Sequence, residues 1–161
     1  MPWERWLERR VPPAALEVDD AAESLRRWAA RDRVPQASAE GQWLADSMQL
    51  AGYRRLLEVF SLNGLVEASQ LCRALGGAPT PVQAILSRVF IEEYGAGRLA
   101  KKHSTYFAQM LEAQGMSTAP ETYFEQVPWQ VLGAINHLFF LTENKRQYIR
   151  FCGAFTYTET S

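Results

Sequence analysis

Residues 90–107 read Phe-Ile-Glu-Glu-Tyr-Gly-Ala-Gly-Arg-Leu-Ala-Lys-Lys-His-Ser-Thr-Tyr-Phe. This stretch places two adjacent carboxylates, Glu92 and Glu93, on one side of a Gly-Ala-Gly interruption and His103 on the other. Carboxylate oxygen and imidazole nitrogen are ligands that suit iron or manganese, and helical bundles build such sites from inward-facing side chains. The stretch is therefore a candidate metal-binding segment within a helical context.

A continuous helix through this stretch would keep its two ligand types apart. Ten residues of α-helix advance about 15 Å and turn through about 1000°, which leaves the side chains of Glu93 and His103 roughly 80° apart. Gly95 and Gly97 each weaken a helix by about 1 kcal/mol relative to alanine, so we predict a break between the two ligands. Only one of Glu92 and Glu93 can face inward, because adjacent helical side chains point about 100° apart.

The same residues also have an ordinary interpretation. A pair of glutamates is typical of a solvated helix face, and a histidine beside two lysines is typical of an exposed surface. Taken alone, the stretch favours that interpretation, so the metal-site hypothesis depends on support from elsewhere in the chain.

Composition limits the classes of protein to consider. The chain has 161 residues, which is consistent with one domain, and 47% of them are hydrophobic, so a packed core is expected. Seventeen basic and eighteen acidic residues give a net charge of -1. This balance argues against a nucleic-acid partner and against electrostatic attachment to a membrane.

Targeting and redox signals are also sparse. The N-terminal segment lacks an apolar signal region, and no apolar run approaches the roughly 18 residues that span a bilayer. We therefore expect a soluble, cytoplasmic protein. Cys72 and Cys152 are far apart in sequence, and we interpret them as core thiols rather than a disulfide framework.

The apolar pattern predicts an all-α protein, since β-type alternation of useful length is lacking. Helices are expected at residues 14–31, 42–60, 65–75, 81–94, 98–114, 129–141 and 144–158. Ser38 and Thr80 are expected N-caps. The segment 129–141 is almost entirely apolar and is expected to be central, with His137 as a core histidine. We divide the chain into an N-terminal helical extension, residues 1–38, and a helical bundle, residues 39–161.

Two further glutamates, Glu67 and Glu159, have largely apolar neighbours in sequence. A buried carboxylate without a partner is costly, so each would require a cation or hydrogen-bond donors if it faced the interior. A solvent-facing position is equally compatible with the sequence around each of them.

Glu93-Tyr-Gly-Ala-Gly followed by His103, together with Gly-Ala-Phe-Thr-Tyr-Thr-Glu at residues 153–159, resembles the haem-oxygenase-like iron-dependent oxidases and oxygenases. That family is described broadly as iron-containing redox enzymes and is related in fold to the TenA group. The resemblance covers roughly residues 40–161 and implies a seven-helix bundle that holds two irons. Carried over by position, it implies Glu67, Glu93, His103 and Glu159 as metal ligands.

The family pattern continues beyond the last of these glutamates with a helix that bears a His…Asp…His set, and this sequence has no such set after Glu159. The resemblance therefore implies an incomplete bundle. We expect a fragment of a longer enzyme. The alternative is a short paralogue that binds metal poorly or obtains the missing helix from a partner.

The resemblance implies a function as well. Two Fe(II) ions, with manganese as the alternative, would activate O₂ to oxidise a small organic substrate, because carboxylates stabilise higher oxidation states and can bridge two metals. Tyr94 and Tyr106 are expected either to hydrogen-bond the ligands or simply to pack. The alternative function is a non-catalytic helical interaction module, in which the uncovered core, Trp3 and Trp6 form a partner or homodimer surface.

Overall fold

The computed structural model describes residues 6, 9–10, 20–32, 38–76 and 80–160. Within these ranges the chain is helical and contains no β-strand, which confirms the all-α prediction. Trp3 and residues 14–19 of the first predicted helix lie outside the described residues.

The described helices follow one another with short connections. They are α1 (Ala21–Asp32), α2 (Ala39–Asp46), α3 (Leu50–Gly64), α4 (Ser69–Ala74), α5 (Pro81–Glu93), α6 (His103–Ala113), α7 (Trp129–Glu143) and α8 (Tyr148–Thr160). Short 3₁₀ turns lie at Gly95–Gly97, Leu99–Lys101, Phe124–Gln126 and Lys145–Gln147. No helix in the described ranges is both long enough and apolar enough to cross a bilayer.

Helix α5 begins at a capping residue followed by proline and ends before residues of positive φ. The Thr80 hydroxyl accepts a hydrogen bond from the Gln83 amide at 3.2 Å, and Pro81 occupies the first helical position, where its missing N–H costs nothing. The helix ends at Glu93 because the following Gly-Ala-Gly has positive φ throughout: 60° at Gly95, 52° at Ala96 and 80° at Gly97. The predicted break is therefore confirmed.

The segment predicted as one helix at residues 42–60 is two helices. The Ser38 hydroxyl caps α2 by accepting from the Gly41 amide at 2.9 Å. After Asp46 the chain leaves helical geometry, and Gln49 is extended with φ −81° and ψ 162°. Helix α3 then starts at Leu50.

Two other predicted helices start later than expected. Helix α4 starts at Ser69 because Ala68 adopts a left-handed conformation with φ 65°, which interrupts the predicted helix 65–75. Helix α6 starts at His103 because Lys102 is extended, with φ −67° and ψ 136°. The predicted helix 98–114 was wrong at its start, where residues 99–101 form a 3₁₀ turn and the α-helix begins only at His103.

The buried apolar residues form two separate clusters. The first, called the large core, joins α4, α5, α7 and α8 through Leu71, Ala74, Leu86, Leu141 and Phe151. The second, called the small core, joins α3 and α6 through Leu57, Leu111 and the following Met116. Helix α1 packs along α8 and buries Ala29.

Two expectations about burial were wrong. Helix α7 is not central along its whole length, since Trp129 at its start is 59% exposed and full burial begins only at Leu141. Cys72 is an exposed free thiol rather than a core residue, while Cys152 is a half-buried free thiol.

Candidate metal centre

All four candidate ligands lie at or next to helix ends. Glu67 is in the turn between α3 and α4, and Glu93 is the last residue of α5. His103 is the first residue of α6, and Glu159 is near the end of α8. The candidates therefore come from helices of both cores, where the chain changes direction and side chains can converge.

Three of them converge on one point. One ligand atom each from Glu67, Glu93 and His103 lies within 4.8 Å of the other two. Within this group, Nδ1 of His103 and Oε2 of Glu93 lie 2.8 Å apart. The Glu93 side chain is only 15% exposed and that of His103 is 46% exposed, so the group lies between the interior and the solvent.

The inner carboxylate oxygen of this group has no hydrogen-bond partner. Oε2 of Glu93 is buried, and its approach to His103 is within ion-pair distance but lacks hydrogen-bond geometry. A buried carboxylate oxygen in this state is costly. Two neighbouring ligands of one octahedral ion, with bonds of about 2.1 Å, lie roughly 3 Å apart, so the observed distance fits two donors to a shared cation.

The electrostatics favour a cation at the same point. Burial raises the pKa of Glu93 above its ordinary value, Glu67 raises it further, His103 opposes the rise, and Glu159 adds to it. Partial desolvation also raises the pKa of Glu159, with Glu67 adding to the rise and His103 opposing it, although Glu159 is an exposed residue. Glu159 thus interacts electrostatically with the converged group, and a bound cation would relieve the repulsion.

Gly95 closes the loop that brings Glu93 to His103. A Cβ on Gly95 would lie 2.5 Å from the backbone carbonyl carbon of Lys101, and the residue has φ +60°. Any side chain would therefore clash with backbone and strain the turn. The ammonium of Lys102 lies 4.4 Å from the ring centroid of Tyr94, a cation–π contact across the same loop.

The remaining sequence candidates occupy other positions. Glu92 is exposed, so Glu93 is the member of the pair that faces inward. His137 is half-buried on α7 and does not belong to the converged group of described residues. The ring of Tyr106 lies 6.4 Å from that of His103, and Tyr94 packs on Phe90 at 4.4 Å. These ring contacts are packing, and hydrogen bonding by the phenols to the ligands stays a prediction.

Two residues near the candidate ligands in sequence make tertiary contacts that the sequence patterns did not predict. Lys102 was read as one of two lysines beside a surface histidine. Gly64 lies just after the predicted helix 42–60 and was not predicted to be buried, but it is buried and lies against the ring of Phe107. Nothing in the sequence signals either tertiary contact.

The donor set fits iron. Two carboxylates and an imidazole in close approach, with a third carboxylate nearby, are hard oxygen donors plus one nitrogen, which is the combination that suits Fe(II) and Mn(II). Such a cation would compensate the charge on the buried Oε2 of Glu93, whose 2.8 Å approach to His103 lacks hydrogen-bond geometry.

Comparison with known proteins agrees with this chemistry. A protein named nitrosourea synthase, from Streptomyces achromogenes subsp. streptozoticus, is 29% identical over an alignment of length 177. The alignment covers 99% of this chain and 38% of that protein, so the chain spans well under half the length of the relative.

The family described as iron-containing redox enzyme matches residues 54–161, which is more than half of the chain. The match starts later than residue 40, where the resemblance in the sequence was expected to start. It confirms the haem-oxygenase-like all-α fold class. The chain belongs to the iron-containing redox enzyme family.

Proposed function

We propose that Glu67, Glu93, His103 and Glu159 bind iron, and that the chain forms part of an iron-dependent oxidase or oxygenase acting on a small organic substrate with O₂. The observation that carries the proposal is the convergence of three ligand atoms within 4.8 Å around a buried carboxylate oxygen that has no hydrogen-bond partner.

Each residue has a distinct task in this proposal. Glu93 supplies the inner negative charge, since its side chain is less exposed than that of His103. His103 supplies a neutral nitrogen donor on the solvent side. Glu67 and Glu159 supply further oxygen donors from the α3–α4 turn and from α8. Bound ferrous iron would supply the electrons that reduce O₂.

The number of metal ions, the bounds of the bundle and the class of substrate are also proposed here. We propose two irons, with manganese as the alternative metal, and a bundle that spans residues 39–161 with residues 1–38 as an extension. The name of the streptomycete relative favours a nitrogen-containing small molecule as the substrate. We extend the activity of that whole protein to this chain only as a proposal, because the alignment covers 38% of that protein.

The test is iron content after anaerobic loading with Fe(II), followed by removal of unbound metal. We expect iron to bind the unchanged chain and to be lost in Glu93→Gln and His103→Ala. The matched controls are Glu92→Gln, which removes the neighbouring exposed carboxylate, and His137→Ala, which removes the other histidine. Both controls should retain iron.

Iron that binds the unchanged chain and both controls, and neither ligand variant, supports the proposal. Absence of iron from the unchanged chain, or equal iron in Glu93→Gln, contradicts it. The count per chain decides between one ion and two, and a parallel Mn(II) titration decides between the metals.

A second function, a helical interaction module, is favoured by exposed apolar side chains. Leu50 is 61% exposed, Leu99 is 76% exposed and Ile149 is 79% exposed, so each presents apolar surface that a partner could cover. Sedimentation of the metal-free chain tests this function. A stable dimer that dissociates on Leu99→Lys supports it, and a monomer at all concentrations contradicts it.

A further inference from the structure

Gly64, the last residue of α3, lies directly against the ring of Phe107 on α6. A Cβ at Gly64 would lie 2.5 Å from both Cγ and Cδ2 of Phe107 and 2.8 Å from Cε2. Gly64 is buried, and it is not among the glycines with positive φ. The absence of a side chain is therefore required by the close approach of the two helices and not by the backbone conformation.

This contact lies between two of the candidate ligands. Gly64 precedes Glu67 by three residues, and Phe107 follows His103 by four. Residues four apart share one face of a helix, so His103 and Phe107 lie one above the other on α6. Phe107 also packs against the small core. The contact between Gly64 and Phe107 thus lies close in sequence to both Glu67 and His103.

We propose that Gly64 is a positioning residue of the metal centre, because it lets α3 approach α6 closely enough for Glu67 and His103 to reach the same cation. This inference rests on the proposed function. A methyl group at position 64 would have to move from 2.5 Å to about 3.5 Å from the Phe107 ring to reach ordinary contact. Metal–ligand distances tolerate only about 0.2 Å, so such a shift would disturb the site.

The first arm of the test compares Gly64→Ala with Gly153→Ala. Gly153 lies within α8, and a Cβ there would meet nothing within 4 Å, so it is a matched helical glycine without a close neighbour. Gly64→Ala should weaken Mn(II) binding by about tenfold or more and change the visible absorption spectrum of the Co(II)-loaded protein, which reports coordination geometry. Gly153→Ala should change neither.

The second arm is rescue. Phe107→Ala removes the ring that the new methyl group would meet, so the double variant Gly64→Ala/Phe107→Ala should recover most of the lost affinity and the original Co(II) spectrum. A structural role unrelated to the ligands would give additive losses instead. Unchanged affinity and spectrum in Gly64→Ala, or failure of the double variant to recover, would overturn the inference.

The third arm uses the metal-free protein. Glu67→Cys and His103→Cys are combined in a chain with Cys72→Ser and Cys152→Ser, and the new thiols are bridged with a short thiol-specific cross-linker. Adding Gly64→Ala should slow bridging several-fold, and Gly153→Ala should not. Failure of the unchanged chain to bind any metal would refute the proposed function. The cross-linking rates would then still test whether Gly64 sets the approach of positions 67 and 103. An unchanged rate overturns the inference.

Discussion

The large core and the small core divide the molecule into two unequally packed parts. The large core draws on four helices and fully buries Leu141 and Phe151, whereas the small core draws on two helices and fully buries Leu111. Glu93 and Glu159 belong to helices of the large core, and His103 belongs to a helix of the small core. A cation bound by these residues would link the two helices of the small core to the helices of the large core.

The largest effect is expected from removing the centre of the large core. Phe151 is 1% exposed, and Phe151→Ala should lower the free energy of unfolding by about 3–5 kcal/mol, through lost contacts and the cavity left behind. Ile149 lies on the same helix and is 79% exposed, so Ile149→Ala should change it by less than about 0.5 kcal/mol. Urea unfolding followed by circular dichroism measures both. Equal losses in the two variants would show that the large core does not stabilise the bundle as described.

A smaller and more local effect is expected in the small core. Leu111 is fully buried, and Leu111→Ala should cost about 2–5 kcal/mol. Since α7 and α8 belong to the large core, hydrogen exchange should quicken in α3 and α6 and stay slow in α7 and α8. Met110→Ala, at a neighbouring position that is 41% exposed, is the control. Uniform quickening along the chain would mean that the two cores unfold as one unit.

Bound metal should reduce the difference in stability between the two cores. A cation present at about a hundred times its dissociation constant stabilises the folded state by about 2.7 kcal/mol. We expect slower hydrogen exchange on adding Mn(II) at residues 64–69 and 94–107, with little change in the centre of α7. The change should vanish in Glu93→Gln and persist in Glu92→Gln. Protection confined to α7 would place the metal elsewhere.

The smallest effect is the pH dependence of the metal-free chain. Burial raises the pKa of Glu93, and desolvation raises that of Glu159, above their ordinary values. A raised carboxyl pKa means that the folded state binds the proton more tightly than the unfolded state does. The resulting stability is full below the ordinary pKa of about 4.3 and is lost as the pH rises through the raised pKa.

Thermal unfolding of the metal-free protein at a series of pH values checks this. The melting temperature should fall as the pH rises above about 4.3, relative to Glu93→Gln, in which that titration is absent. Glu92→Gln should follow the unchanged chain. A melting temperature that rises more steeply with pH in the unchanged chain than in Glu93→Gln would contradict the direction assigned to Glu93.

Sequence patterns predicted those parts of the fold whose cause is local. The limits of α5 follow from Thr80, Pro81 and the Gly-Ala-Gly turn, and each is a backbone or capping effect that a short window contains. The left-handed Ala68, which shortens α4, has no such signal, because alanine rarely adopts that conformation unless tertiary packing holds it.

The candidate site was predictable only in part. Residue types and the expected helix break identified Glu93 and His103, and the family resemblance added Glu67 and Glu159. The convergence of Glu67, Glu93 and His103 brings together three segments of the chain, a tertiary arrangement that no short window of sequence contains. A glycine required for close approach and a glycine that merely ends a helix look the same in sequence.

We propose above that His103 and Glu93 bind one metal ion, which would lie between the two cores. Electron spin echo spectroscopy of the Mn(II)-loaded chain detects directly whether an imidazole nitrogen binds the ion. We expect nitrogen modulation in the unchanged chain and in His137→Ala, and its loss in His103→Ala. Nitrogen modulation that persists in His103→Ala, or bound Mn(II) without it in the unchanged chain, would contradict the claim.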